Sequence, residues 1–180
     1  MRPSFRFGTA ACLFAFLGGL VRADAMPQSG VGGESLQNIP TADRVVVRKG
    51  ERRLYLMRGE SVLRSYKVAL GLNPVGHKQR EGDFRTPEGK YRLTRRNPRS
   101  DYFLSIQVSY PNEDDIKRAR RNGWYTGGSI MIHGLPNQLK HPPGWYASQD
   151  WTDGCIAVSN SEIVEIWLLT ADNAPIEIRP

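Results

Sequence analysis

Cysteine is scarce in this sequence, which has two, Cys12 and Cys155, among 180 residues. So few cysteines exclude the dense disulfide framework that holds many small secreted domains together. The paired Cys and His spacings that are typical of structural zinc sites are absent as well. A chain of this length can instead bury one adequate apolar core, so we expect a single domain that is stabilised by packing.

A long apolar run is also missing. The longest run, residues 7–21, has 15 residues, whereas a helix needs about 20 to cross a bilayer, so we expect no stable membrane insertion. The run follows Arg2 and Arg6 and ends in the small-residue pattern Ala23-Asp24-Ala25. These features predict a secretory signal peptide over residues 1–25, cleaved near Ala25, and a mature protein in the periplasm or exported cell envelope.

Removal of this signal peptide takes Cys12 away and leaves Cys155 alone. Cysteines in an oxidising compartment are usually paired. A lone one is therefore buried, joined to another chain, or retained for its reactivity. Export also argues against nucleic acid as a partner.

Acidic residues are outnumbered, with 18 Asp and Glu against 25 Lys and Arg and a net charge of +7. The predicted signal peptide carries three arginines and one aspartate, so the mature chain has 7 − 3 + 1 = +5. A basic exported protein is attracted to anionic envelope polymers. The same charge is also explained by a solvated face that aids solubility, and charge alone does not separate the two interpretations.

Residues 26–41 are rich in Gly, Ser, Gln and Pro and predict a flexible lead-in to a domain over residues 42–180. Two short helices are expected in that domain, one from Asn112 to Gly123 and one that follows Asn160 as its cap. The predicted strands cover residues 44–48, 53–57, 62–70, 89–94, 103–109, 129–133 and 175–179. Because strands outnumber helices, the predicted fold class is mainly β, a β-rich α+β domain.

His133 and Cys155 offer the clearest chemistry in the sequence. A thiol has a pKa of roughly 8.5 and is mostly protonated near neutrality, so a nucleophilic cysteine needs a base beside it. His133 ends an apolar strand and is the candidate base. Gly154 lets the backbone approach a substrate, so that the amides of Gly154 and Cys155 can face a developing oxyanion. A buried thiol and a hydrogen-bonded histidine without a catalytic role are the alternative for these residues alone.

The neighbouring residues resemble the YkuD-like L,D-transpeptidase catalytic domain. Ile132-His133-Gly134 matches the family's strand that ends in His-Gly, and Thr152-Asp153-Gly154-Cys155-Ile156, followed by Asn160, matches its Ser/Thr-His-Gly-Cys motif. The charged, glycine-rich segment 76–91 matches a second family feature. The Trp-Thr-Asp-Gly-Cys version looks like a branch from Gram-negative envelopes. The resemblance covers residues 42–180 and implies a sandwich-like, mainly β fold with the cysteine at a cleft.

By this resemblance, the protein is an enzyme of peptidoglycan that needs no cofactor or metal. Cys155 would attack the amide between the diamino acid of a stem peptide and the following D-Ala, and D-Ala would leave from a thioester. His133, with its ring held by the Gly134 carbonyl, would move the proton. An amine of another stem would give a cross-link, a lysine of an envelope protein would give anchoring to the wall, and water would give hydrolysis.

An L,D-carboxypeptidase or endopeptidase is thus the alternative to a transpeptidase, and a wall-binding protein that has lost activity is the third hypothesis. Two departures from the family's pattern keep these alternatives open. Asp153 stands where the motif usually has His, and Ala157 stands where Arg is frequent. An acid that points at a thiol raises the pKa of that thiol, so we expect Asp153 to face elsewhere, toward a substrate amine.

The segment between the two catalytic candidates has the composition of a lid over the cleft, although surface packing explains it as well. A metal site would have to collect His133, His141, Asp153 and Cys155, and their spacing is not that of zinc ligands, so we predict no metal. The substrate-binding candidates are Trp145, Trp151, Thr152, Asp153 and Asn160.

Overall fold

The computed structural model describes residues 40–180. The predicted signal peptide and residues 26–39 of the predicted lead-in lie outside the described residues. Within 40–180, no helix combines the length and the apolar composition needed to cross a membrane.

Strands dominate the described part of the chain, and three short helices lie between them. The strands are β1 (Arg44–Arg48), β2 (Arg53–Arg58), β3 (Ser61–Lys67), β4 (Gly89–Ser100), β5 (Phe103–Val108), β6 (Met131–His133), β7 (Ile156–Ala157) and β8 (Pro175–Arg179). The helices are α1 (Glu113–Arg121), α2 (Pro143–Ser148) and α3 (Asn160–Leu169).

The strands are hydrogen-bonded in the order β3-β2-β1-β8-β4-β5-β6-β7. Strand β4 belongs to both halves of this arrangement: Gly89–Arg92 pairs with β8, and the part from Leu93 to Ser100 pairs with β5. Register shifts along the second part mark irregularities that bend the strand. Buried residues of both halves belong to one core cluster, and the expectation of a sandwich-like, mainly β fold is confirmed.

The core follows from the alternation of apolar residues along the strands. Val45 and Val47 of β1 and Ile176 and Ile178 of β8 are almost fully buried, because side chains two apart in a strand share a face. Helix α3 packs against β5 and β6 and buries Ile163 and Ile166 in the same cluster. The apolar stripe of α3 is therefore core packing.

Helix α1 has the expected cap, since Asn112 Oδ1 accepts from the amides of Asp114 and Asp115 at 3.0 Å. The expected cap of α3 is wrong by one residue. Ser159 caps that helix through the amide of Glu162, and Asn160 is its first helical residue. The reason is that the Asn160 side chain turns away from the helix and bonds the loop after β6.

Three further differences from the sequence patterns concern the region of the site. Strand β3 ends at Lys67 instead of residue 70, because Ala69 leaves it to pair with Ala157. Helix α2 lies in the segment predicted as a lid, and the two-residue strand β7 was not expected. All three changes depend on contacts between segments distant in sequence.

Candidate active site

The parallel pairing of β6 and β7 brings His133 and Cys155 together. Ile132 lies opposite Ile156, and His133 lies opposite Ala157, two residues beyond Cys155. Both His133 and Cys155 line one cavity of about 490 Å³. The 22 positions that separate the two residues in the sequence are thus closed by the sheet.

Thr152 shapes the loop that carries Cys155. Its buried hydroxyl donates to the Cys155 carbonyl at 2.7 Å and accepts from the Gly154 amide at 3.2 Å. Its backbone pairs with the segment after β3, since the Thr152 amide donates to Leu70 O at 3.1 Å and Leu72 N donates to Thr152 O at 2.9 Å. Thr152 lines the cavity, but its side-chain bonds hold the loop.

Gly154 lies where a side chain has no room. Its φ is +129°, and a Cβ built on it would lie 2.5 Å from the carbonyl oxygen of Arg85. The backbone of Arg85 therefore packs directly against the residue before Cys155. This contact explains why the position requires glycine.

The segment that supplies Arg85, residues 76–88, is held by buried charges. The Asp83 carboxylate accepts from the amides of Gln79, Arg80 and Arg85 and from Lys78 Nζ at 2.8 Å. Burial raises the pKa of Asp83, but Lys78 and the three amides outweigh burial and hold the pKa below its usual range. No motif in the sequence distinguishes Asp83 and Lys78, and their local signal is the density of charge and glycine.

Lys49 joins this segment to the end of β1. Its side chain is buried, and Nζ donates to the carbonyls of Gly76 and Thr86 and to the Glu88 carboxylate at 2.8 Å. Burial lowers the pKa of Lys49, while Glu88 opposes that effect. The segment under the Cys155 loop is thus fixed at both ends.

His133 is enclosed by aromatic rings. It is 3% exposed, with the Tyr102 ring 4.5 Å and the Trp151 ring 5.6 Å from its own, between centroids. Burial lowers the pKa of His133 to about 4, although the hydrogen bond to Gly134 raises it. Nδ1 lies 2.7 Å from the Gly134 carbonyl oxygen, which can only accept, so Nδ1 carries the proton of the neutral ring and Nε2 has the free lone pair.

Cys155 is partly exposed, and its Sγ lies 3.6 Å from the Ser129 carbonyl oxygen. Burial raises the pKa of the thiol most, and Asp153 raises it further, whereas the Met131 amide and Lys78 lower it. The balance keeps the pKa above its usual range. The resting pair at neutral pH is therefore a thiol and a neutral imidazole.

Of the predicted substrate-binding residues, Asp153 and Trp151 line the cavity. Asp153 is exposed and has no ion pair with any residue of the described range 40–180. Trp145 lines a neighbouring pocket, which also contains Trp151. Asn160 lines neither, and its Oδ1 accepts from the Leu135 amide at 2.8 Å, so it fixes the turn after His133.

Two further residues of this cavity carry no signal in the sequence. Arg99 lies near the end of β4, Tyr102 lies in the turn between β4 and β5, and both line the cavity. Tyr102 also accepts from the Gly134 amide at 3.1 Å through its carbonyl oxygen. Nothing in the local sequence pattern distinguishes these residues from an ordinary hairpin turn. Across residues 40–180, no group of three or more His, Cys, Asp or Glu residues is arranged to hold a metal ion.

A family model matches residues 42–178 of the chain, and its description is L,D-transpeptidase catalytic domain, YkuD. The chain is 32% identical over 138 residues to YafK of Escherichia coli (strain K12). The name of YafK assigns that protein provisionally to the L,D-transpeptidases. The match covers 74% of this chain and 48% of YafK. The chain thus spans about half the length of the curated relatives it matches.

Two solved structures are similar in fold. The helical cell shape determining protein Pgp2 from Campylobacter jejuni is 26% identical with a TM-score of 0.56, and the match covers 74% of this chain and 46% of Pgp2. Bd1075 from Bdellovibrio bacteriovorus is 27% identical with a TM-score of 0.52, and the match covers 75% of this chain and 46% of Bd1075.

Proposed function

The chain belongs to the YkuD family of L,D-transpeptidase catalytic domains, and on that premise we propose that it is an exported L,D-transpeptidase that acts on peptidoglycan stem peptides through a thioester on Cys155. The observation that carries the proposal is the shared cavity of His133 and Cys155. The signal-peptide pattern of residues 1–25 supports export to the periplasm or cell envelope.

The protonation states favour general-base catalysis over a preformed ion pair. With the pKa of His133 near 4 and that of Cys155 raised, the proton stays on sulfur until the substrate binds. His133 Nε2 then accepts this proton as Sγ bonds to the amide carbon between the diamino acid and D-Ala. The carbonyl π electrons move onto oxygen and form a tetrahedral oxyanion.

The oxyanion needs donors, and the Cys155 amide is the first candidate. The Gly154 amide donates to Thr152 Oγ1 at 3.2 Å and is engaged in the loop. When the C–N bond breaks, His133 returns its proton to the leaving amine, so D-Ala departs as a neutral amine and the thioester remains. His133 is neutral again and can accept a proton from the acceptor.

The acceptor defines the final product. An amine of a second stem gives a cross-link, a lysine of an envelope protein gives a protein anchored to the wall, and water gives a shortened stem. The Asp153 carboxylate at the cavity, which has no ion pair within residues 40–180, would attract an acceptor or substrate ammonium group. An ammonium group is common to the first two acceptors and absent from water, so binding of the acceptor by Asp153 would favour transfer over hydrolysis.

The experiment is mass spectrometry of the protein without residues 1–25 after incubation with a carbapenem and, separately, with tetrapeptide-stem muropeptides. Cys155→Ala should abolish the adduct, and His133→Gln should slow its formation by at least about a hundredfold. Trp124→Ala, at an exposed residue that does not line the cavity, should leave adduct formation unchanged.

Muropeptide dimers would establish the transpeptidase, whereas tripeptide stems without dimers would replace transfer by hydrolysis. An adduct that persists in Cys155→Ala would exclude this nucleophile. No adduct and no turnover would contradict the enzyme and favour a wall-binding protein.

A further inference from the structure

A second pocket lies beside the cavity of Cys155 and is walled by aromatic rings. It has a volume of about 310 Å³, near the lower limit for small-molecule sites. We call it the aromatic pocket. Its five rings belong to Tyr102, His141, Trp145, Tyr146 and Trp151.

The rings are held in place before any ligand binds. The Lys140 amide donates to the Tyr146 hydroxyl at 3.0 Å, and Trp151 Nε1 donates to the Tyr146 carbonyl oxygen at 3.2 Å. The rings of Trp145 and Trp151 each pack edge-on against Tyr146 with centroids 5.2 Å apart. A preformed wall of this kind loses little side-chain freedom on binding.

The exposed rings suit a ligand with a face of C–H groups. His141 and Trp145 stack at 4.2 Å between centroids, and Trp145 is 37% exposed although it is a large aromatic residue. The face of an aromatic ring is negative and attracts the weakly positive hydrogens of a pyranose ring. Gln138 and Lys140 at the rim can donate to hydroxyl and acetamido oxygens.

The aromatic pocket adjoins the candidate active site. Tyr102 and Trp151 line both the aromatic pocket and the cavity of Cys155. A ligand whose peptide lies in the cavity can therefore place an attached group against Trp145. None of the described residues that line the aromatic pocket carries a carboxylate, so the pocket suits a neutral group better than a cation.

We propose that the aromatic pocket binds an N-acetylated sugar ring of the glycan strand to which the stem peptide is attached. The proposal rests on the proposed function for the identity of the peptide in the cavity. A pocket with this role would make the protein select stem peptides that are still joined to glycan over free stem peptides. Trp145 and His141 would provide the stacking face, and the Gln138 and Lys140 side chains would orient the acetamido group.

The first test is binding without chemistry. Cys155→Ala protein is titrated with N,N′-diacetylchitobiose, and tryptophan fluorescence and NMR shifts are followed. We expect saturable binding that perturbs the Trp145 indole. Trp145→Ala in the same background should weaken binding about tenfold, the scale of one aromatic contact. His141→Ala should weaken it less, and Trp124→Ala, with the same 37% exposure but outside the pocket, should have no effect.

The second test is turnover. Wild-type protein should prefer a disaccharide-tetrapeptide to the free tetrapeptide in kcat/KM, and Trp145→Ala should lower kcat/KM about tenfold more for the disaccharide-tetrapeptide than for the free tetrapeptide. Equal losses on both substrates would show that the pocket binds peptide and would overturn the proposal. Absence of disaccharide binding would overturn it as well. Disaccharide binding without any turnover would leave the pocket intact and contradict only the proposed function.

Discussion

The environment of His133 depends strongly on one residue, Tyr102, whose ring lies 4.5 Å from the imidazole. Because burial is the main cause of the lowered pKa, removal of this ring admits water to the imidazole. The aromatic enclosure therefore keeps the candidate base neutral over a wide range of pH.

Tyr102→Ala is expected to raise the pKa of His133 from about 4 toward the ordinary value of about 6.5. The acid limb of kcat/KM should move to higher pH by the same amount, since the base must be unprotonated. NMR titration of the imidazole measures the pKa directly. Tyr125→Ala, at a tyrosine that is 72% exposed and away from the cavity, is the control, and an unchanged pKa in Tyr102→Ala would contradict this explanation.

Gly154 is the second residue at which the geometry predicts the effect of a substitution. Gly154→Ala forces an L side chain into a left-handed conformation and against the Arg85 carbonyl, which is backbone and cannot rotate away. We expect a loss of about 2 kcal/mol or more in the free energy of unfolding and loss of Cys155 acylation. Urea denaturation measures the first effect and mass spectrometry the second.

Gly144→Ala is the matched control for Gly154→Ala. A Cβ on Gly144 meets nothing within 4 Å, and the residue lies in helix α2, where alanine is preferred to glycine. The free energy of unfolding should be unchanged or slightly higher in this variant. An equal change of this free energy in the two variants would show that the contact of Gly154 with Arg85 is unimportant.

Among the elements, the charged segment 76–88 has a supporting role for the Cys155 loop. Its Asp83 carboxylate organises three backbone amides and neutralises Lys78, which is almost fully buried. The segment then presents the Arg85 carbonyl to Gly154. The ion pair of Asp83 and Lys78 is thus part of the interior.

Asp83→Asn should destabilise the protein by about 3 kcal/mol, because it leaves the Lys78 ammonium group buried without its partner. Acylation of Cys155 should slow as the loop loses its support. Asp172→Asn is the control, since that carboxylate also forms an ion pair, with Arg96, but is 86% exposed, and little change in the free energy of unfolding is expected there. A small effect of both variants in urea denaturation would refute a structural role for Asp83.

At the scale of the whole molecule, stability should depend on pH through His133. Its pKa is about 4 in the folded state and about 6.5 when unfolded, so the unfolded chain binds more protons between these values. Burial of the neutral imidazole therefore leaves the free energy of unfolding unaffected above pH 6.5 and lowers it as pH falls toward 4, by at most about 3 kcal/mol. The lowered pKa values of Asp83 and Asp115 add losses only at lower pH.

Urea denaturation at pH 7.0, 5.5 and 4.5 should therefore show a falling free energy of unfolding. His133→Asn should flatten this dependence whatever its effect on absolute stability. His141→Asn, at an exposed histidine, should retain the wild-type slope. A wild-type stability that is constant over this range would contradict a buried, neutral His133.

The sequence by itself predicted the features that are local or repeat at short range. Alternating apolar residues indicated most of the strands, and the acids after Asn112 indicated helix α1. The His-Gly and Gly-Cys pairs, in their order along the chain, indicated the family, because the chemistry and close backbone contacts of each pair depend on adjacent residues.

Only the tertiary structure decided what surrounds these residues. It brings Tyr102 against His133 and Arg85 under Gly154, from positions tens of residues away, and it turns Asn160 from a helix cap into a support for the loop after β6. It also buries Asp83 with Lys78. Most of these contacts join residues far apart in the sequence, and no local pattern records which of them become buried, since burial and pKa depend on neighbours in space.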